Sequence, residues 1–402
     1  MPPRLAVRLP ADRPLAPFGE PASGLPVLGG TLSDSQGTAL SAAGLVPGDD
    51  DASQARLVYG ANTWFTATLL RRLIAADRPG RLVVRHEGWL RHVSPLASDP
   101  PHPTLAVVPA GIPTAAYADL EEIEVDAGFE PMEIDLGHAA FDHAAQTGMV
   151  SGIAVAHDIE HWAHLVRLNG IALAALGRER KAEFESAPWW SKLGIGLSVL
   201  WRAGALNEAA ILRAVSRFGA RCKIHPTAVV EACELGDEVT VGANAVVRGT
   251  VVGSGAKIEA LAHVSASSIG PRATIGRQTH LALCVVAEGA YVSAGVGHQA
   301  TLFGRDSFMA LGCFTFDLSF GKMIEVETPE GRVSAGTHFL GSVIGHRARI
   351  GAGVRLGYGV AVPNDAFLVA PAADVLRRWP ADAEGVVTVR EGAATPVKAP
   401  RT

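Results

Sequence analysis

Residues 224–292 read IHPTAVVEACELGDEVTVGANAVVRGTVVGSGAKIEALAHVSASSIGPRATIGRQTHLALCVVAEGAYV. Aliphatic residues recur at Ile224, Val230, Leu235, Val241, Val247, Val252, Ile258, Val264, Ile269, Ile275, Leu281, Val286 and Val292. The steps run six, five, six, so Ile224, Val241, Ile258, Ile275 and Val292 stand seventeen residues apart. A short strand, a corner and a short strand again would satisfy that spacing, with three strands closing one triangular coil. One aliphatic per strand then points inward and stacks on its equivalent in the next coil, because no coil can bury its own face. Gly236, Gly242, Gly253, Gly270 and Gly276 each follow an inward aliphatic and mark the corners. The pattern predicts a left-handed parallel β-helix of hexapeptide repeats over 222–370. It resumes late at Ile344, Ile350, Leu356, Val362 and Phe367. The gap is an excursion at 313–340, in which MIEVETPEGRVSAG (323–336) alternates apolar and polar residues about Pro-Glu-Gly, as a β-hairpin does.

Outward from that core, the chain has 402 residues, which suits two domains and a tail. Residues 1–180 read as an α/β domain. Strands are expected at 57–59, 81–85 and 105–108, and helices at 66–76 and 158–176, in a doubly wound arrangement. A helical connector follows at 181–221, and 371–402 is a tail. Gly is abundant (44 residues) and aromatics scarce (6%), as tight recurring corners require. A net charge of only -5 gives no reason to expect nucleic acid as a partner. The N-terminus lacks the apolar core of a secretory signal, and no stretch is long and apolar enough for a transmembrane segment. Four cysteines lie far apart without metal-ligand spacing, so a reducing, cytoplasmic setting is expected.

The residues FTFDLSFGKMIEVETPEGRVSAGTHFLGSVIGHRARIGAGV (314–354) resemble the acetyltransferase half of sugar-phosphate nucleotidylyltransferases that carry a C-terminal β-helix, including the bifunctional N-acetylglucosamine-1-phosphate uridylyltransferases and their archaeal relatives. More faintly, ADRPLAPFGEPASGLPVLGGTL (11–32) is similar to the opening loop of that family, and LVYGANTWF (57–65) to its Gly-Asp strand. The match is degenerate. The Gly-rich phosphate cradle is missing, Ala22 stands for the expected lysine, and Ala61 for the metal-binding carboxylate. Nucleotidyl transfer needs a cation and backbone donors on the phosphates and a carboxylate holding Mg²⁺. Loss of these groups predicts a nucleotidyltransferase-like domain without that activity, in which Mg²⁺ has no role.

The resemblance implies a homotrimer in which a β-helix histidine acts as general base in acyl transfer from acetyl-CoA or another acyl-CoA to a sugar phosphate or nucleotide sugar. His298, in Gly-His-Gln-Ala-Thr-Leu, is the first candidate, and His280 the second. By the repeat count His298 also falls near an inward position, where it would be a core residue. Asp317 stands where the family has a strand Asn. Arg305, Lys322 and Arg347 are candidate phosphate or CoA contacts, with His346 a further one. Two other readings stay open: a non-catalytic scaffold or ligand-binding protein, and a nucleotidylyltransferase with an altered site. His157, His161 and His164 are spaced to share one helix face, and HDIEH matches a metalloprotease pattern. A segment like that around Trp162, Leu165 and Asn169 packs the two domains together in the resembling proteins.

Overall fold

The computed structural model describes residues 3–10, 13–131, 150–186, 188–189, 215–293, 297–371, 373, 387–391 and 393–396. Most of the expected connector, 190–214, lies outside them.

The aliphatic ladder builds three stacks of parallel strands, the arrangement of a β-helix of the left-handed, hexapeptide type. The first face runs from Arg217–Phe218 through Glu234–Leu235, Val251–Val252, Ser268–Ile269, Val285–Val286, Leu302–Phe303 and Val343–Ile344 to Ala361–Val362. The second runs from Lys223–Ile224 to Phe367–Leu368. The third holds Val229–Glu231, Val246–Arg248, His263–Ser265, His280–Ala282 and Gly297–Gln299. Every pairing in the three stacks is parallel, and the register Val241↔Ile258↔Ile275↔Val292 matches the count from sequence. The predicted inward residues form one buried cluster, in which Val247, Val264, Ile269, Ile275 and Leu281 are wholly inaccessible. Burial of that apolar column, at about 25 cal/mol per Å², is the main term holding the coils together.

The corners explain the glycines. A Cβ on Gly270 would lie 2.6 Å from the Glu288 amide nitrogen, so the next coil's backbone occupies the space a side chain would need. A second corner uses side-chain polarity instead. Ser216, Cys233, Thr250, Ser267, Cys284, Thr301 and Ser342 are all buried there. Within the column Ser267 Oγ accepts from the Cys284 amide at 3.0 Å, and the Cys284 thiol donates to the His298 carbonyl at 3.2 Å. Small hydroxyls and thiols thus satisfy backbone groups that the sharp corner leaves unpaired.

Three features differ from the sequence reading. The stack starts at Arg217, before Cys222. After the excursion the coil lengthens by one residue, because Ile344 pairs with Val362 and Ile350 with Leu368. Leu368 therefore takes the ladder position expected for Phe367, whose ring is 75% exposed. Part of the expected tail pairs as a hairpin, Val387–Arg390 with Ala393–Pro396.

Ahead of the coils sits a six-stranded mixed sheet, not a doubly wound parallel one. Its order is Glu122–Glu124, Gly80–Val83, Leu105–Val108, Arg56–Gly60, Leu5–Leu9, Val46–Pro47, and Leu105–Val108 runs antiparallel to both neighbours. Helices α1 (Leu32–Ala42) and α2 (Ala67–Ala75) cover one face of it, and α3 (Glu87–Val93) puts Trp89 and Val93 into the apolar cluster at the junction with the coils. Thr31 and Asp34 form a capping box that starts α1, a helix not among those expected from the sequence. The long α4 (Trp162–Ser186) leads toward the coils.

The sheet domain packs on the first face of the β-helix. One apolar cluster joins Leu25, Trp64, Trp162 and Leu165 to Val285, Leu302 and Val343. Asn169 on α4 pins the junction: its amide donates to the Ala266 carbonyl at 2.9 Å and its oxygen accepts from Ser268 Oγ at 2.6 Å. The hairpin Glu325–Thr328/Gly331–Ser334 leaves the coils at the expected excursion, while Leu302–Phe303 pairs directly with Val343–Ile344 across it.

Candidate functional site

Alternation along a coil strand decides what each candidate histidine can do. His298 is in register with Leu281, an inward residue, and is 1% exposed. Its ring meets Phe303 edge-on at 5.5 Å, and Nδ1 lies 3.5 Å from Thr315 Oγ1. Thr315 Oγ1 in turn shares a hydrogen with Thr301 Oγ1 at 2.9 Å. Burial pushes the His298 pKa down to about 4, so it is a neutral imidazole inside the coil. A substrate on the outer surface cannot reach it. The leading sequence assignment is thereby replaced by the reading in which His298 is core.

His280 occupies the other phase. It pairs with His263 one coil below and with Gly297 one coil above, all three at outward positions of the third face. His280 is exposed, and its ring lies 4.7 Å from that of His263 at a 34° tilt. His263 Nε2 is buried without a hydrogen-bond partner among the described residues. Burial, and then the neighbouring charges of His280 and Arg248, hold the His263 pKa below the ordinary imidazole value. Among the described residues, a Cβ on Gly297 above His280 would meet only the His280 Cβ, at 3.9 Å.

Asp317 stands where the coil opens into the excursion. Its carbonyl accepts from the Leu340 amide at 2.8 Å, closing the neck of the loop. Burial raises its carboxyl pKa. Lys322 is exposed on the excursion, where its carbonyl accepts from Ser319 Oγ. The two arginines are engaged within the chain. Arg347 forms a two-pronged pair with Asp365, both bonds 2.7 Å. Arg305 donates to Glu20 Oε2 at 2.6 Å and to the Gly24 carbonyl at 3.1 Å.

Glu20 belongs to the loop expected to open a nucleotide site. Here that loop lies on the first face of the β-helix. Besides Arg305, the Glu20 carboxylate takes a hydrogen bond from His346 Nε2 at 2.9 Å. His346 Nδ1 accepts from the Arg305 amide, which fixes the proton on Nε2. Asn364 donates to the Phe18 carbonyl, and the Phe18 ring packs on His346 at 4.7 Å. Burial opposes ionisation of Glu20, but the hydrogen bonds from Arg305 and His346 outweigh it and keep the carboxyl below its ordinary pKa. Ala22 and Ala61 are both buried.

The histidine triplet is not on one helix. His157 lies in the strand Ala156–Asp158, held by pairing with Thr63–Phe65, and α4 begins only at Trp162. Asp158 stops the helix starting earlier by accepting from Thr63 Oγ1 and Thr104 Oγ1 at 2.5 and 2.7 Å. His164 Nε2 donates to the Pro95 carbonyl, and His161 Nε2 to the Glu327 carbonyl of the excursion hairpin. His161 thus ties the sheet domain to the hairpin, while His164 braces α4 within the sheet domain. Among the described residues no cluster of three His, Cys, Asp or Glu side chains could hold a metal ion, and no helix is long and apolar enough to cross a membrane.

No protein-family profile matches the chain, and no curated protein matches it. Among solved structures it is similar to a protein of Bacillus cereus assigned as an acetyltransferase, at 16% identity, 38% coverage of this chain, 74% of that chain and a TM-score of 0.16. It is also similar to the polysialic acid O-acetyltransferase OatWY, at 18% identity, 46% coverage of this chain, 93% of that chain and a TM-score of 0.19. Scores that low carry no argument about activity.

Proposed function

We propose that the β-helix transfers an acyl group from a CoA thioester to the amino group of a sugar phosphate or nucleotide sugar, with His280 as general base. The outward His263–His280 pair beneath Gly297 carries this reading, because His280 is an exposed imidazole on the third face. A CoA thioester, when bound, supplies the activated acyl carbonyl. His280 takes a proton from the amine as its nitrogen forms the new bond to that carbonyl carbon. The carbon–sulfur bond then breaks, and the imidazolium returns its proton to the departing thiolate. His263, kept neutral beneath, leaves the upper ring free to carry the charge. Lys322 is the candidate for the acceptor phosphate, since Arg305 and Arg347 are held by Glu20 and Asp365. Acetyl-CoA turnover with glucosamine 1-phosphate, followed by thiol release, tests the assignment; turnover unchanged in His280→Asn sinks it.

The clamp on Glu20 favours a second reading, a non-catalytic protein whose sheet domain serves as structure. It expects no thiol release with any amine acceptor. Pyrophosphate release dependent on Mg²⁺ would instead support nucleotidyl transfer by an altered site. A homotrimer is the oligomeric state that the resemblance implies, and sedimentation measures it directly.

A further inference from the structure

The outward residues of the second face form one row, fixed by strand register from Lys223 to Phe367. Strands in a sheet lie about 4.8 Å apart, so alternate rungs of the row repeat at roughly 10 Å. One alternate set is Lys223, Lys257, Tyr291 and Arg349, each of which ends in a hydrogen-bond donor. The set between them is Thr240, Thr274, Phe308 and Phe367. Lys223, Lys257 and Arg349 are exposed, and none has a carboxylate partner among the described residues. The acids on either side are engaged. Glu238, Glu288 and Asp365, on the corner leading into this face, pair with Arg221, Arg272 and Arg347. Glu259, on the far side of the row, accepts the Arg277 amide at 3.1 Å. Tyr291 and Phe308 stack on each other at 5.5 Å, and both stand exposed. A lone exposed ring needs no explanation, but a stacked pair in line with three unpaired cations does.

We infer that this row binds an acidic polysaccharide with one carboxylate per disaccharide, laid along the axis of the coils. Alternate rungs would each meet one carboxylate, because the two-sugar repeat of such a chain advances by a similar distance. The exposed edges of Tyr291 and Phe308 and the ring of Phe367 would take the apolar C–H surfaces of the sugars, and the Thr240 and Thr274 hydroxyls would bond to sugar hydroxyls. A nucleic-acid strand fits less well, since it carries a phosphate about every 3.4 Å of axis, roughly three for each donor of the row. The inference needs no turnover at the third face and goes beyond the acyl-transfer reading.

Isothermal titration calorimetry on the full chain, with a hyaluronan decasaccharide as probe, tests it. The glycan should bind, and bind more weakly as salt rises. Its carboxyl-reduced form should bind about tenfold more weakly or not at all. Lys257→Gln and Arg349→Gln change exposed side chains that no fold contact uses. Each should weaken binding about threefold, and the two together about tenfold, the scale of exposed ion pairs. Lys181→Gln removes an exposed lysine of α4 and should leave binding unchanged. No binding of hyaluronan, equal binding of the carboxyl-reduced form, indifference to the double variant, or an equal loss in Lys181→Gln overturns the inference. Tighter binding of polyuridylate than of hyaluronan would make the row a nucleic-acid surface and overturns it as well.

Discussion

Arg305 donates to Glu20 across 285 residues of sequence, at 2.6 Å, and His346 shares the same carboxylate. An arginine that looked like a phosphate contact is thus the bolt between two halves of the molecule. Glu20→Ala should loosen that junction and cost about 1–3 kcal/mol, less than a fully buried pair because solvent reaches both partners. Urea unfolding should then show a sheet-domain transition ahead of the coils. One unchanged transition would mean the apolar seam around Val285 and Leu302 suffices alone.

His298 gives a signed pH effect. Its pKa falls from about 6.5 unfolded to about 4 folded, as do those of His161 (about 4) and His157 (about 3), each chiefly through burial. The unfolded chain therefore binds more protons between those values, so this stability is complete above pH 6.5 and is lost as pH falls toward 4. Asp158, raised to about 6 by burial, acts in the opposite direction. His298→Leu, matching Leu281 below it, should recover about 2 kcal/mol at pH 5 relative to pH 7. Urea midpoints at the two pH values measure the difference.

The two outward histidines should separate by readout. His280→Asn should abolish thiol release with an unchanged melting temperature. His263→Asn should lower kcat, since the His280 ring loses the ring packed 4.7 Å beneath it. Identical loss of fold in both variants would make the pair structural.

Corner and ladder substitutions should differ in kind. Ile275→Ala leaves a void between Ile258 and Val292 and should cost about 2–5 kcal/mol. Gly270→Ala drives a Cβ toward the Glu288 amide and should cost about 1–3 kcal/mol by forcing two coils apart. Differential scanning calorimetry ranks them.

The coil was legible because its inward residues repeat with a fixed step and each sits in the same environment, as the Val241–Ile258–Ile275–Val292 column shows. Where the step changed by one residue, the periodic reading misplaced Phe367. The sheet domain was less legible. Its strands at Arg56–Gly60 and Leu105–Val108 stand out as buried runs, but their mutual direction depends on connections that composition does not encode. The capping box at Thr31 and Asp34 was a signal for α1 that the sequence offered. The site was least legible. Choosing between His280 and His298 requires knowing which side of the strand each faces; the repeat count already put His298 near an inward position, one coil after Leu281, and the family resemblance outweighed that signal. Arg305 could not be read at all, since its partner lies at the other end of the chain.

The buried column of serines, threonines and cysteines along one corner has a use beyond satisfying backbone groups. Cys233 and Cys284 are fully enclosed, and burial pushes their thiols up to about 11 and 12. Each is therefore inert to alkylating reagents while its own rung is closed. Half a stack apart, they are two built-in timers. The order in which they become labelled under mild denaturant would tell from which end the molecule unzips.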